Sequence, residues 1–122
     1  MRRSRTNTPL QAFVTLNDPA YVEAAQSLAR RIVREGGATV HSRAEHGLSL
    51  TLLRPPDDER TLVVTELYET ELAHYAGDAA AALALATDPL GPLAEGESAP
   101  EFAAWTAVAN VLLNQDALLV KD

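Results

Sequence analysis

The sequence predicts an all-α protein, an irregular bundle of five to six short to medium helices with one long Pro/Gly loop at about residues 87–99. Its 122 residues are 47% hydrophobic but only 5% aromatic, which favours close packing of small side chains in helices over a β-sandwich. Apolar residues also recur at helical spacing behind helix-capping residues. At this length we expect residues 1–122 to form a single helical domain or the C-terminal fragment of a larger domain.

The first two predicted helices each open with a proline. Thr8 is a candidate N-cap for a short helix from Pro9 to about Leu16. Pro19 then opens a second helix of about four turns, capped by the preceding Asn or Asp, and it is predicted to end at two glycines that can adopt the left-handed conformation. The apolar stripe of this helix and its terminating glycines are Tyr21, Ala25, Leu28, Ile32, Gly36 and Gly37.

The third segment follows a capping-box pattern, with Ser42 as the N-cap and Glu45 three residues later. Its leucines between positions 48 and 53 alternate as in a strand, so both a helix and a strand remain open here. Pro55 and Pro56 end the segment, because each proline disfavours helix in the residue before it.

The fourth helix begins with the acidic run Asp57, Asp58 and Glu59, which the positive end of a helix dipole stabilises. Its predicted buried stripe consists of Val64, Leu67, Tyr68, Leu72 and Tyr75. Gly77 is expected to end this helix, and an alanine-rich helix is expected over about residues 78–86.

The last long helix follows the Pro/Gly loop and is predicted to begin with Ser98 as N-cap, with Pro100 in the first turn and Glu101 closing a capping box. Its apolar positions are Phe102, Trp105, Ala109 and Leu112. A final turn or two from Asp116 to Val120 is expected to pack back onto the bundle.

Charge is divided unevenly along the chain. Residues 1–54 contain eight Lys and Arg against four Asp and Glu, whereas residues 55–122 contain two against thirteen. A basic front half with Arg2, Arg3 and Arg5 at its start is compatible with weak nucleic-acid binding. Electrostatic attraction between two halves of one bundle explains the same pattern and is the interpretation that we favour.

The residues give no clear sign of catalysis. With no cysteine, the chain has no thiolate nucleophile, disulfide or c-type haem attachment. Glu71 and His74 form a single Glu-x-x-His pair, whereas di-iron bundles use two such pairs, so a solvated helix face is the favoured interpretation. We therefore predict no catalytic residue, metal or cofactor, and consider an enzyme less consistent with the sequence than a non-enzymatic protein.

A polar stripe interrupts the apolar surface of the last helix, because Thr106, Asn110 and Asn114 are spaced four residues apart. Buried amides require hydrogen-bond partners, and the irregular opening segment offers polar groups. We hypothesise that the stripe holds this opening segment. The alternative is a polar ligand-binding cleft, with the candidate lining residues Arg5, Thr6, Asn7, Asn110 and Asn114.

Three segments together carry a family resemblance: RRSRTNTPLQAFVTLNDPAYVEAAQSLARRIVREGG, LRPPDDE and AWTAVANVLLNQDALL. In this order they resemble the C-terminal part of a domain of unknown function from planctomycete proteins, with a likeness over nearly all 122 residues. The resemblance implies large, multidomain, exported proteins in which the domain follows cytochrome-c-like domains, and a link to periplasmic redox or polysaccharide metabolism.

The chain departs from that family pattern in lacking the Cys-x-x-Cys-His haem attachment, so no haem function carries over. Its first residues do not follow a signal-peptide pattern, and we expect a truncated or split reading frame. The leading interpretation is a structural or interaction module whose partner is a missing N-terminal part of the same domain or another protein. The alternatives are an accessory part of a redox or polysaccharide-metabolism enzyme and weak nucleic-acid binding.

Overall fold

The computed structural model describes residues 19–51 and 57–114, and the described residues form five helices. In chain order these are α1 (Pro19–Glu35), α2 (Val40–Thr51), α3 (Asp58–Ala76), α4 (Ala79–Thr87) and α5 (Ala99–Leu113). Helices account for 79% of the described residues, which contain no strand. The predicted all-α bundle is confirmed, and the segment that could have been helix or strand is helical through Thr51.

Helix α5 occupies the centre of the bundle. Every residue from 102 to 110 is buried, as expected for a helix that is surrounded on all sides. Helices α1, α3 and α4 pack extensively against it, and α2 contacts it at fewer positions. Four alanines in the buried run let these neighbouring helices approach closely.

An aromatic pair joins α3 to α5 in the core. The rings of Tyr68 and Trp105 are stacked, with centroids 4.3 Å apart and planes 21° from parallel, and Trp105 is fully buried. Burial, followed by the nearby Glu101 carboxylate, raises the pKa of Tyr68 to about 12. The phenol therefore stays neutral at physiological pH, where it acts as a packing group.

Most predicted helix ends are confirmed. The N-caps Asp57, Asp78 and Ser98 each accept a hydrogen bond from the backbone N–H three residues later, over 2.8–3.3 Å. Helix α1 ends at residue 35, and the second of its two terminating glycines, Gly37, has the left-handed φ of 91°. Gly77 ends α3, and the connection between α4 and α5 is non-helical from 88 to 98.

The predicted start of α2 is wrong by a few residues. The helix begins at Val40, and its capping side chain is Thr39, whose hydroxyl accepts a hydrogen bond from the Ser42 N–H over 3.0 Å. The Ser42 hydroxyl instead donates to the carbonyl of Gly36 over 2.6 Å, at the end of α1. Ser42 is therefore in the first turn of α2 and links that turn to the preceding helix.

Three predicted features lie outside the described residues: the short helix at 9–16, the prolines at 55–56 and the final turn at 116–120. Among the five helices described, none combines the length and the apolarity that crossing a bilayer requires.

Candidate functional site

The most extensively hydrogen-bonded polar surface lies between α1 and the loop at residues 88–98. Gln26, Arg30 and Arg34 recur every four residues, which places them above one another on one side of α1. We call these three residues the α1 polar row. Each of them binds the loop or the end of α4 that leads into it.

Gln26 is fully buried and uses both ends of its amide. The amide nitrogen donates to the carbonyl of Leu85 over 2.5 Å and to that of Asp88 over 3.0 Å. The amide oxygen accepts from the N–H of Leu90 over 3.1 Å. Since the last four carbonyls of a helix have no partner within it, Gln26 completes the end of α4 and fixes the first residues of the loop.

Arg30 extends these contacts one turn further along α1. Its guanidinium donates to the carbonyl of Ala86 over 3.0 Å, to that of Pro92 at 3.5 Å and to that of Gly91 at close range. Burial lowers the pKa of Arg30 and the neighbouring Arg34 lowers it further, whereas Glu97 raises it. An arginine remains charged under these conditions, so one partly buried cation holds three backbone carbonyls.

Arg34 binds the far end of the loop through two parallel hydrogen bonds to the carboxylate of Glu97, at 3.0 and 2.8 Å. The same carboxylate accepts the N–H of Ala94 over 2.8 Å. The hydrogen bond from Arg34 holds the pKa of Glu97 below its usual range. The Arg34 guanidinium also lies 5.7 Å from the centre of the Phe102 ring, within cation–π range.

The uneven charge distribution has a counterpart in these contacts. Arg34 from the basic half pairs with Glu97 from the acidic half, and Arg43 of α2 lies 3.9 Å from Glu101 of α5. Both ion pairs join segments more than fifty residues apart in the chain. They agree with the interpretation that the two halves of the bundle attract each other.

The predicted polar cleft is described only in part. Thr106 and Asn110 are buried in α5, and Asn114 follows its last turn. The Thr106 hydroxyl donates to the Phe102 carbonyl over 2.7 Å, and the Asn114 amide donates to the Asn110 carbonyl over 2.8 Å. The other three candidate lining residues, Arg5, Thr6 and Asn7, lie outside the described residues, so the cleft stays a prediction.

The expectation of a solvated face for Glu71 and His74 is wrong for the glutamate. Glu71 is only 7% exposed, because it lies on the inner side of α3, whereas His74 is exposed. Burial raises the pKa of Glu71, and the nearby His74 lowers it by a smaller amount. Within residues 19–51 and 57–114, no three His, Asp or Glu side chains are arranged as a metal site.

The role of the α1 polar row was not predicted from the sequence. Gln26 and Arg30 lie outside the apolar stripe of α1, and polar residues in such positions commonly face solvent. The signal that could have identified them is their four-residue spacing with Arg34, combined with the long Pro/Gly loop that needs backbone partners.

Comparison with protein families connects the chain to one of them. The family model PSD1, described as a protein of unknown function (DUF1553), matches residues 1–68. The chain belongs to this family. The match spans two of the three segments that carry the resemblance, and it includes α1, α2 and the first half of α3. The third segment, at 104–119, lies beyond the matched residues, and no curated protein or solved structure matches the chain.

Proposed function

We propose that this PSD1-family domain is a non-enzymatic structural and interaction module that presents the loop at 88–98 to another polypeptide. The observation that carries the proposal is the α1 polar row, since three side chains from one helix hold the loop along its length. Loops held by a rigid scaffold are common binding elements, because the scaffold fixes their geometry.

A loop held in one conformation binds with a smaller entropic penalty than a free one. The Gln26, Arg30 and Arg34 side chains bind backbone groups or Glu97, and so leave much of the outer surface of the loop uncovered. Six loop residues are exposed to solvent: Asp88, Pro89, Pro92, Ala94, Glu95 and Gly96. The hydrogen bonds that order the loop therefore do not compete with a partner for its outer surface.

The family resemblance suggests one class of partner for this surface, a neighbouring domain of a multidomain exported protein. The cytochrome-c-like domains implied by that resemblance are the first candidates. Under this proposal the module positions other domains and carries out no chemistry of its own.

Site-specific photo-crosslinking in cells that express the native protein tests the proposal. A photoreactive amino acid replaces Glu95 in the loop, and in a matched control it replaces Glu23, an exposed residue of α1. We expect a discrete crosslinked polypeptide, identifiable by mass spectrometry, from position 95 and none from position 23.

A second experiment tests whether crosslinking requires the loop to be held in place. Arg30→Met removes the three hydrogen bonds to loop and helix-end carbonyls, and circular dichroism verifies that the helices remain. The crosslink at position 95 should then weaken strongly. Equal crosslinking from positions 95 and 23, or a crosslink that Arg30→Met leaves unchanged, would show that the ordered loop is not the contact surface.

A further inference from the structure

The outer side of α3 combines exposed apolar residues with carboxylates that pair with no cation among the described residues. Leu62 and Val63 are 58% and 59% exposed, which makes them the two most exposed large hydrophobic residues described. Residues at three- and four-residue spacing continue the same side of the helix. We call this surface the outer α3 face, and its residues are Glu59, Leu62, Val63, Glu66, Glu69 and Ala73.

The carboxylates of this face belong to no ion pair in the part of the chain that the structure describes. Within residues 19–51 and 57–114, no Lys, Arg or His comes within ion-pair distance of Glu59, Glu66 or Glu69. The nearest arginine in the sequence, Arg60, is bonded to Asp57 at 2.6 Å. The described residues therefore do not neutralise the negative potential of the face.

From this arrangement we infer that the outer α3 face binds a basic amphipathic helix of a partner protein. Leu62 and Val63 supply the apolar contacts of the face, and we call these two residues the apolar centre. Glu59 and Glu66 lie one turn before and one turn after them, near the midline of the face. The face thus offers apolar contacts beside charges, the combination by which helix pairs select a partner. The occupant is expected to present leucine-type residues to the apolar centre and Lys or Arg to the flanking carboxylates.

Charge complementarity excludes several other occupants. A second copy of the chain would place one acidic face against another, and like charges across an interface disfavour association. Nucleic acids and anionic lipid surfaces carry the same sign of charge as the face. A basic helix is the occupant that both buries the two apolar side chains and neutralises the three carboxylates.

The dimensions of the face indicate a weak complex that depends on electrostatic attraction. From Glu59 to Ala73 the face extends for about 21 Å at 1.5 Å per residue, the length of a partner helix of about 15 residues. One helix pair of this size buries less surface than a standard stable interface. Electrostatic attraction should therefore supply much of the affinity, and binding should weaken as salt rises above about 0.1 M.

Fluorescence anisotropy with a designed helical peptide tests the inference on the full 122-residue chain. The probe is a labelled peptide of about 15 residues with leucines on one stripe and lysines beside it, and the control peptide has every lysine replaced by glutamate. We expect saturable, salt-sensitive binding of the basic peptide and none of the acidic peptide.

Matched variants then locate the binding surface. Glu66→Lys with Glu69→Lys reverses the charge of the face, whereas Glu23→Lys with Ala24→Lys and Ser27→Lys makes the same net change at exposed residues of α1. The first variant should weaken binding by about tenfold or more, and the second by about twofold or less. Leu62→Ser should also weaken binding, because it removes half of the apolar centre.

Several results would overturn the inference, provided that circular dichroism shows each variant to be folded. Equal losses of affinity in the two variants with altered charge would show that binding depends only on the net charge of the protein. Unchanged binding of the peptide to Leu62→Ser would show that Leu62 does not contact the peptide. Absence of binding to the unmodified chain would show that the outer α3 face is not a site for a basic helix. Dimerisation of the chain that Leu62→Ser abolishes, measured by sedimentation, would assign the face to a second copy. The inference does not depend on the loop at 88–98, which the peptide does not engage.

Discussion

The α1 polar row and the outer α3 face are both built from charged or polar residues at helical spacing, yet they differ in what surrounds them. In the row, every side chain hydrogen-bonds a group more than fifty residues away in the sequence. On the outer α3 face, carboxylates and two apolar side chains project into solvent. Similar helical patterns thus serve an intramolecular contact in one region and form a solvent-exposed surface of the described residues in the other.

The difference follows from the position of each helix beside the irregular part of the chain. Helix α1 lies next to the end of α4 and the loop, whose carbonyls need hydrogen-bond donors. Amide and guanidinium groups supply donors, and a partly buried site makes their bonds stronger than they would be in water. Carboxylates supply none, so a surface rich in Glu completes no helix end of this kind and remains available for cations.

The largest expected effect comes from removing the buried amide of the α1 polar row. Gln26→Leu keeps the approximate size of the side chain but leaves the carbonyls of Leu85 and Asp88 and the N–H of Leu90 without this partner. Because each unsatisfied buried group costs about 1–3 kcal/mol and some will rearrange towards water, we expect a loss of about 2–4 kcal/mol. Urea denaturation followed by circular dichroism measures the change.

The neighbouring Ser27→Leu variant is the control, because Ser27 is exposed on the same helix. It should change the free energy of unfolding by no more than about 0.5 kcal/mol. Equal stability of Gln26→Leu and Ser27→Leu would contradict the difference drawn between the two regions. The α1 polar row would then contribute no more to the free energy of unfolding than a solvated surface does.

Structural features could be predicted from the sequence where their hydrogen-bond partners lie only a few residues away in the chain. The caps at Asp57, Asp78 and Ser98 bind N–H groups three residues away, so local patterns located these helix starts. Thr39 and Ser42 are both acceptable caps, and the choice depends on the carbonyl of Gly36, which binds the Ser42 hydroxyl. A local pattern cannot anticipate that competing contact.

The individual partners of the α1 polar row could not be predicted from the sequence for the same reason, although the four-residue spacing of the row was visible there. The partners of Gln26 and Arg30 are backbone carbonyls and one backbone N–H that lie 56–64 residues further along the chain. A helical wheel identifies a polar residue but does not show whether its side chain will hydrogen-bond water or the backbone of a distant segment. Glu71 shows the opposite failure, because it was expected to face solvent and is buried. How α3 packs against the rest of the bundle decides which of its polar residues lie on the inner side.

An intermediate effect is expected when the buried and exposed carboxyl groups of α3 are compared. Burial raises the pKa of Glu71 above its ordinary value of 4.5, so the folded chain binds this proton more tightly than the unfolded chain. The free energy of unfolding therefore falls as pH rises through the range above 4.5. Glu71→Gln should remove this loss and stabilise the protein at pH 7, while the two proteins converge in acid.

Glu69→Gln, two residues away on the outer α3 face, is the matched control and should shift stability by no more than about 0.5 kcal/mol at any pH. Thermal unfolding from pH 4 to 8 gives both profiles. Destabilisation by Glu71→Gln at pH 7 would mean that the buried carboxylate has a favourable ionic partner, and the inner side of α3 would then resemble the α1 polar row.

The smallest effect is expected at the solvent-exposed end of the row, where Arg34 and Glu97 form a two-bond ion pair. Partial exposure limits such pairs, so a double-mutant cycle with Arg34→Ala and Glu97→Ala should give a coupling of about 0.5–1 kcal/mol. The pKa of Glu97 is lowered by this pairing. The coupling is therefore fully present above pH 4.5 and is lost as pH falls through the lowered folded-state pKa.

The exposed pair Arg31 and Glu35, one turn apart on α1 and 3.1 Å from each other, provides the comparison. Its coupling should be smaller, because both side chains are more exposed than those of the Arg34–Glu97 pair and the contact orders no loop. Equal couplings would show that the loop adds nothing to the pair. A larger coupling for Arg34 and Glu97 that persists at high salt would show that the row acts as one unit, because screening weakens isolated surface pairs.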